Sequence, residues 1–197
     1  MEVIKTEINK DKEFLKMLYS CGVVTQYGLE LMNVSSYRIN LYRENDIIEL
    51  VYENGNKGYK LTSKAKKIMS KKYGLKNSYT YRSIRHCSKL QEIYLNIDLQ
   101  RYKWITETEA LLIMNDRINL SYKYNQRTLN YLDISPVDAI IVDRETNTAY
   151  GIEIISPSYR ERDLNKKEKF LKLEKVGRRF EHFSKEDMKR CSTSFVI

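Results

Sequence analysis

The sequence predicts a mixed α+β (or α/β) protein of two domains, and three observations lead to this fold class. Apolar residues within the first 45 positions recur at helical spacing, which is typical of short amphipathic helices. An Asn54-Gly55 pair between two β-prone runs predicts a hairpin. The rest of the chain reads as a helix at 85–98, a strand at 104–113 (at least in its opening half), a long polar excursion at 115–134, strands at 137–142 and 150–155, a charged helix from about 163 and a terminal strand at 194–197. The order of these elements is α-β-β-β-α-β.

Length and composition set the domain boundaries that we expect. A chain of 197 residues is long enough to bury two small cores. We expect a first domain at residues 1–72, a linker at 73–82 and a second domain at 83–197. The break falls in a basic, polar and tyrosine-bearing stretch that lacks periodicity.

Charge and cysteine content narrow the class of protein. A hydrophobic fraction of 42% with 31% charged residues excludes a disordered chain, and no apolar run is long enough to cross a bilayer. Three dispersed cysteines without CxxC spacing favour reduced thiols in the cytoplasm. A net charge of +9 indicates a polyanionic partner, most often nucleic acid. We expect no membrane partner, because the chain lacks a long apolar run. Residues 104–155 depart from this pattern, with four basic and eight acidic residues, a net of −4.

The first 72 residues predict a winged helix-turn-helix. Three helices are expected at residues 9–21, 26–32 and 36–43, with Thr25 and Ser35 as N-caps of the second and third. The hairpin and a basic helix capped by Thr62 follow. A third helix of this layout fits the major groove of double-stranded DNA. The residues expected to contact DNA lie on that helix, its cap and the hairpin: Ser35, Ser36, Tyr37, Arg38, Asn40, Arg43, Lys57 and Lys60.

Two short β-branched runs in the second domain each hold one carboxylate. The segment Ser135–Asp143 contains Asp138, and the segment Tyr150–Ile155 contains Glu153. A hairpin of these two runs brings the two acids near each other. Paired carboxylates of this kind bind divalent metals in many nucleases. Ordinary turn and edge-strand acids are the alternative interpretation.

Several short motifs resemble known families. Gly58-Tyr-Lys-Leu-Thr62 is similar to the passage from wing to helix in many winged-helix domains, with Ala65 where glycine is usual. The order α-β-β-β-α-β resembles the PD-(D/E)xK, or restriction-endonuclease-like, superfamily. With Arg85-His86, Trp104-Ile-Thr-Glu107, Pro136-Val-Asp138 and Gly151-Ile-Glu153, the whole layout resembles the replication-relaxation family of plasmids and conjugative elements.

The resemblance implies a nuclease-like site. Asp138 and Glu153 would bind Mg²⁺ or Mn²⁺, and Glu92 on the preceding helix would be a third catalytic acid. The family motif places a lysine two residues after the glutamate, where this chain has Ile155. Lys166 or Lys167 on the next helix would have to supply the missing cation. The segment Ser156-Pro-Ser-Tyr-Arg160 follows the third strand directly and either contributes hydroxyls or a cation to a phosphate or is a plain strand exit with a proline stop.

Three functions remain open at this point. The first is a sequence-specific DNA-binding accessory protein of plasmid replication, conjugative transfer or mobile-element maintenance, with an inactive nuclease-like domain. The second is an active Mg²⁺-dependent endonuclease or nickase. The third is a winged-helix transcriptional regulator that forms a homodimer. Replication or relaxase machinery is the further partner that the resemblance implies.

Overall fold

The structure is a computed structural model that describes residues 9–75, 77–118, 133–155 and 159–173. It consists of helices and two small antiparallel sheets. Within these ranges the fold is mixed α+β, with seven helices and two three-stranded sheets. The chain divides into two compact units, Met1–Leu95 and Asn96–Ile197. No helix in the described ranges combines the length and apolar character that a membrane span requires.

The first unit contains five helices and three strands. They are α1 (Asn9–Cys21), β1 (Val24–Thr25), α2 (Gln26–Leu31), α3 (Ser36–Glu44), β2 (Ile48–Glu53), β3 (Asn56–Leu61), α4 (Ser63–Tyr73) and α5 (Ile84–Asn96). The strands pair in the order β1-β3-β2, all antiparallel. The two-residue strand β1 was not predicted, because a run this short has no periodicity.

Two of the three predicted N-caps and the predicted turn are confirmed, whereas Thr25 precedes α2 without a capping hydrogen bond from its side chain. The hydroxyl oxygen of Ser35 accepts a hydrogen bond from the Arg38 N–H, and Thr62 caps α4 in the same way. Asn54 and Gly55 both have positive φ, at 48° and 77°, as a tight hairpin turn between β2 and β3 requires. Each signal acts within a few residues and was readable from the sequence.

Helix α5 belongs to the first unit, although we expected it to open the second domain. The division after Leu95 places nearly all of the helix with α1–α4. Its Gln91 is fully buried and accepts a hydrogen bond of 2.9 Å from the Thr25 N–H, at the start of α2. Glu53 of β2 accepts a hydrogen bond from the Ile84 N–H, at the start of α5. These contacts make α5 part of the core around α1 and α2.

The second unit contains one sheet and two helices. Its elements are β4 (Tyr102–Thr106), α6 (Glu107–Ile118), β5 (Ala139–Asp143), β6 (Ala149–Ile152) and α7 (Glu161–Leu173). The strands pair antiparallel in the order β4-β5-β6, with Trp104 opposite Ile141 and Ile141 opposite Tyr150. The core packs the sheet against α6 and α7, through Ile105, Ala110, Ile134, Val137, Ile140, Phe170 and Leu171.

The segment predicted as the first strand of the second domain is a strand at its start and a helix in the rest of its length. We expected residues 104–113 to form a strand at least in their opening half, and only β4 up to Thr106 does so. Thr106 and Glu109 then cap α6 reciprocally: the Thr106 N–H donates to Glu109 Oε2 at 2.9 Å, and the Glu109 N–H donates to Thr106 Oγ1 at 3.3 Å. This capping box satisfies the free donors of the first helical turn. The terminal strand predicted at 194–197 and most of the loop predicted at 115–134 lie outside the described residues.

Candidate functional site

A polar groove of about 500 Å³ lies between α2, α3 and the β2–β3 hairpin in the first unit. Asn40 and Arg43 line it from successive turns of α3, and Lys57 lines it from β3. Its other lining residues come from the same elements and their connection: Gln26, Leu29, Glu30, Asn33, Val34, Ser36, Ile39 and Tyr59. The groove carries two cations, Arg43 and Lys57, against one carboxylate, Glu30, and this positive balance suits an anionic partner.

Four of the predicted DNA-contacting residues line this groove: Ser36, Asn40, Arg43 and Lys57. Tyr37, at the start of α3, does not line it and is 73% exposed. Ser35 is exposed as well, but its hydroxyl oxygen already accepts the capping hydrogen bond from the Arg38 N–H. Ile39 and Tyr42 form the buried side of α3, so the exposed residues share the outer side of the helix.

Arg38 is directed inward, contrary to the expectation that it points away from the core. Its guanidinium forms an ion pair with Asp11 of α1, whose side chain is only 3% exposed. The Arg38 guanidinium carbon also lies 5.2 Å from the centre of the Tyr42 ring. Despite partial burial, the neighbouring Asp11 carboxylate and Tyr42 hydroxyl raise the pKa of Arg38. The residue therefore ties α1 to α3.

The two hairpin lysines lie on opposite faces of the sheet. Lys57 is on the face of β3 that carries Tyr59, and its Nζ lies 5.8 Å from the centre of the Tyr59 ring. Lys60 is on the other face, where its Nζ lies 3.3 Å from Glu49 and 5.4 Å from the centre of the Tyr81 ring. Lys57 is thus a groove residue, and Lys60 is not.

Asp138 and Glu153 come together in the second unit through crossed hydrogen bonds. Asp138 precedes β5 and Glu153 follows β6, and the two strands are paired. The Asp138 N–H donates to Glu153 Oε2 at 3.0 Å, and the Ile154 N–H donates to Asp138 Oδ2 at 2.8 Å. The two carboxylates are 0% and 3% exposed. The predicted proximity of the two acids is therefore observed.

Lys167 of α7 is the cation beside these acids. Its Nζ lies 3.0 Å from Glu153 Oε1 and donates to the Pro136 carbonyl oxygen. The Tyr159 hydroxyl donates to the same Glu153 oxygen. Helix α7 approaches the sheet closely because β6 has Gly151 at the contact, where a Cβ would fall 2.6 Å from Leu171 Cδ1. We refer to Asp138, Glu153, Tyr159 and Lys167 as the carboxylate cluster.

Lys167 could have been singled out from the sequence by its position in α7. Leu164, Lys167 and Leu171 follow at the spacing i, i+3, i+7, so the lysine stands in the apolar stripe of the helix. A buried lysine in such a stripe needs a partner, since an unpaired buried charge is costly. Lys166, the other lysine considered, instead pairs with Asp133 at 3.0 Å.

The electrostatics of the carboxylate cluster oppose full ionisation. Burial raises the pKa of Glu153, and the negative charge of Asp138 raises it further. Lys167 and the Tyr159 hydrogen bond act in the opposite direction and lower the pKa of Glu153. The net effect is a raised pKa, so Glu153 takes up a proton more readily than an exposed glutamate does.

Glu92, the expected third acid, lies on α5 in the first unit. Its carboxylate accepts hydrogen bonds from Lys89 Nζ at 2.9 and 3.0 Å, and its side chain is 42% exposed. The structure thus assigns Glu92 to the unit that holds the groove, and not to the unit that holds Asp138 and Glu153.

The carboxylate cluster does not fit a resident Mg²⁺ or Mn²⁺ as it is arranged. Its donor atoms are hard oxygens, as these ions prefer, but Mg²⁺ usually retains several waters. Both carboxylates are almost fully buried, and they accept hydrogen bonds from two backbone N–H groups, Lys167 and Tyr159. The described residues also contain no group of three or more His, Cys, Asp or Glu side chains arranged for a metal ion.

Comparison of the chain with protein-family models, with curated proteins and with solved structures yielded no match. The geometry of the groove and of the carboxylate cluster therefore carries the functional argument.

Proposed function

We propose that this protein is a sequence-specific DNA-binding protein that reads duplex DNA with the groove of its first unit. The observation that carries the proposal is the placement of Asn40, Arg43 and Lys57 along one groove. The element order α1-β1-α2-α3-β2-β3 and the strand order β1-β3-β2 also agree with a winged helix-turn-helix. In such a domain α3 would enter the major groove and the hairpin would contact the adjacent backbone.

The chemistry of the three groove residues suits base contacts by α3 and phosphate contacts by the hairpin. An asparagine pairs with adenine through two hydrogen bonds, and an arginine pairs with guanine in the same manner. Asn40 and Arg43 are three residues apart and lie on one side of α3, so both reach the same stretch of base edges. Lys57 has a compact charge that suits a phosphate.

The biological setting rests on the family resemblance alone. We place the protein in the cytoplasm as an accessory of plasmid replication, conjugative transfer or mobile-element maintenance, with a second unit that resembles nucleases in its sequence motifs and has no cleavage activity. The buried free thiols of Cys21 and Cys87 agree with a reducing compartment.

Selection of sequences from a random duplex pool by the full chain, at low salt, tests the proposal. We expect an enriched motif of several base pairs. Asn40→Ala and Arg43→Ala should each relax the preference at one position by about 1–3 kcal/mol. Lys57→Ala should weaken binding to all sequences alike and lower the salt slope by about 1. Lys103→Ala, an exposed change in the second unit, is the control. If the wild-type protein enriches no sequence motif from the pool, the proposal is wrong.

A metal-dependent endonuclease is the second and weaker candidate function. Lys167 favours it, because this lysine places a cation beside Glu153 that the sequence lacks at Ile155. The present arrangement opposes it, because a metal ion would have to displace the hydrogen bonds that both carboxylates accept. The test is incubation of supercoiled plasmid with purified protein and Mn²⁺, with Asp138→Ala and Glu153→Ala as inactive controls. If the wild-type protein leaves the plasmid supercoiled, the second candidate is excluded.

A further inference from the structure

Helix α4 carries a face of lysines outside the groove. Lys64, Lys67 and Lys71 follow at the spacing i, i+3, i+7, so they form one line along the helix, which we call the lysine stripe. All three side chains are exposed, and Lys66 flanks them. The opposite side of α4 is buried through Ala65 and Met69. No residue of the lysine stripe lines the groove.

The lysine stripe has little internal charge compensation. Helix α4 contains no acidic residue. Lys64 lies 3.9 Å from Asp46, in a pair whose side chains are both more than half exposed, and such pairs contribute little. In the described part of the chain, no carboxylate forms an ion pair with Lys67 or Lys71.

This arrangement costs stability in the free protein. Lys67 and Lys71 are like charges at i and i+4, and like charges at this spacing destabilise a helix. A bound polyanion removes this repulsion. The stripe spans about 10 Å along the helix axis, and each strand of duplex DNA carries one phosphate for every 3.4 Å or so of the DNA axis. Over a similar axial length one strand therefore carries about three phosphates, as many as the stripe has charges.

We propose that the lysine stripe is a second DNA-binding surface, which contacts phosphates of duplex DNA without reading sequence. The proposal rests on the proposed function, because the groove lies in the same unit. Duplex DNA fits better than an anionic membrane. An interfacial helix inserts an apolar face into the lipid, and the apolar face of α4 is already buried in the protein core.

The test compares two triple variants of the full chain. Lys64→Gln, Lys67→Gln and Lys71→Gln together remove the lysine stripe, and glutamine keeps a helix propensity close to that of lysine. The matched control, Lys103→Gln, Arg162→Gln and Lys172→Gln, removes three exposed cations from the second unit. The probe is a 30-base-pair duplex of random sequence, with affinity measured by fluorescence anisotropy between 50 and 300 mM KCl.

We expect the stripe variant to bind about tenfold more weakly at 100 mM KCl, with the slope of log K against log salt reduced by about two to three. The control should change the slope by less than about one. The motif selected by the groove should stay the same. The circular dichroism spectra of both variants should match that of the wild type. Such a match would show that the weaker DNA binding does not result from unfolding.

Other results separate the two proposals. If the stripe variant and the wild type have equal salt slopes, the proposal for the lysine stripe is wrong and the groove proposal stands. The same holds if the control variant loses as much DNA affinity as the stripe variant. A wild-type protein that binds no duplex at 50 mM KCl overturns both. Unchanged DNA binding with lost affinity for phosphatidylserine-containing vesicles would assign the stripe to a membrane, against the proposal.

Discussion

Lys167 reaches from α7 to Glu153 and closes a buried ion pair of 3.0 Å between side chains that are 5% and 3% exposed. The lysine lies 14 positions along the chain from its partner, and it stabilises a carboxylate that burial and Asp138 both disfavour. The pair therefore links α7 to the ends of β5 and β6.

Lys167→Met should destabilise the protein by about 3–5 kcal/mol at neutral pH, because it leaves the Glu153 charge buried and unpaired. Lys169→Met is the matched control on the same helix. Lys169 pairs with Asp133 at 2.6 Å and is half exposed, so its loss should cost at most about 1 kcal/mol. Urea unfolding followed by circular dichroism measures both, and equal losses would contradict a special role for Lys167.

The stability that the Lys167→Met variant loses should also depend on pH. A raised pKa means that the folded state binds the proton of Glu153 more tightly than the unfolded state does. The associated stability is fully present below the ordinary glutamate pKa and is lost as pH rises through the folded pKa. Removal of Lys167 raises the pKa of Glu153 further, so the variant should lose less stability at pH 5 than at pH 8. A loss independent of pH would argue against this account.

Gly28 and Gln91 should show strong coupling in a double-mutant cycle. A Cβ at Gly28 would fall 2.6 Å from Gln91 Cδ, so Gly28→Ala overpacks the core at a cost of about 1–3 kcal/mol. Gln91→Ala leaves the Thr25 N–H unpaired and should cost about 1–3 kcal/mol. In the double variant the added methyl enters the vacated space.

The measurement of this coupling is urea unfolding of the four proteins. The double variant should be more stable than the sum of the two losses implies, by about 1 kcal/mol or more. Additivity within about 0.5 kcal/mol would contradict the packing of α5 against α2.

Arg38→Ala and Arg43→Ala should have opposite consequences although both residues lie on α3. Arg38→Ala leaves Asp11 buried without its cation and should cost about 3 kcal/mol of stability. Arg43→Ala, at the groove, should change stability by less than about 0.5 kcal/mol and act on DNA binding. Thermal unfolding and anisotropy on the same samples distinguish the two. If Arg38→Ala is as stable as the wild type but loses DNA binding, then Arg38 contacts DNA and does not hold α1 to α3.

Arg101 should control the titration of Asp143. A hydrogen bond from Arg101, aided by the N–H groups of Glu145 and Thr146, lowers the pKa of Asp143 to about 2. A lowered pKa gives stability that is present above the ordinary aspartate pKa, near 4, and is lost as pH falls toward about 2.

Arg101→Gln should therefore raise the pKa of Asp143 toward its ordinary value, with Lys103→Gln, two residues further along the chain in β4, as the control. Carbon-13 NMR of the side-chain carboxyl follows the titration directly. An Asp143 pKa that stays near 2 in Arg101→Gln would show that the backbone N–H groups are sufficient.

The elements that the sequence predicts well depend on neighbours in the chain. Thr62, Ser35 and the Asn54-Gly55 turn all act as expected, because a cap or a turn is a contact over two or three residues. The start of α6 was missed, although Thr106-Glu-Thr-Glu109 is a capping-box signature that the sequence contains. Alternating residues in β4 continue into this signature, and the strand pattern obscured it.

By itself the sequence determined the hairpins, the caps and the approach of Asp138 to Glu153, since all follow from local pattern and from the pairing of adjacent strands. Only the tertiary structure decided that Lys167 serves Glu153, that Arg38 binds Asp11 and that Gln91 brings α5 to α2. These contacts join residues far apart in the chain, 66 positions in the case of Gln91 and Thr25. Burial makes each of them necessary, because a buried charge or backbone donor must find a partner wherever the fold provides one.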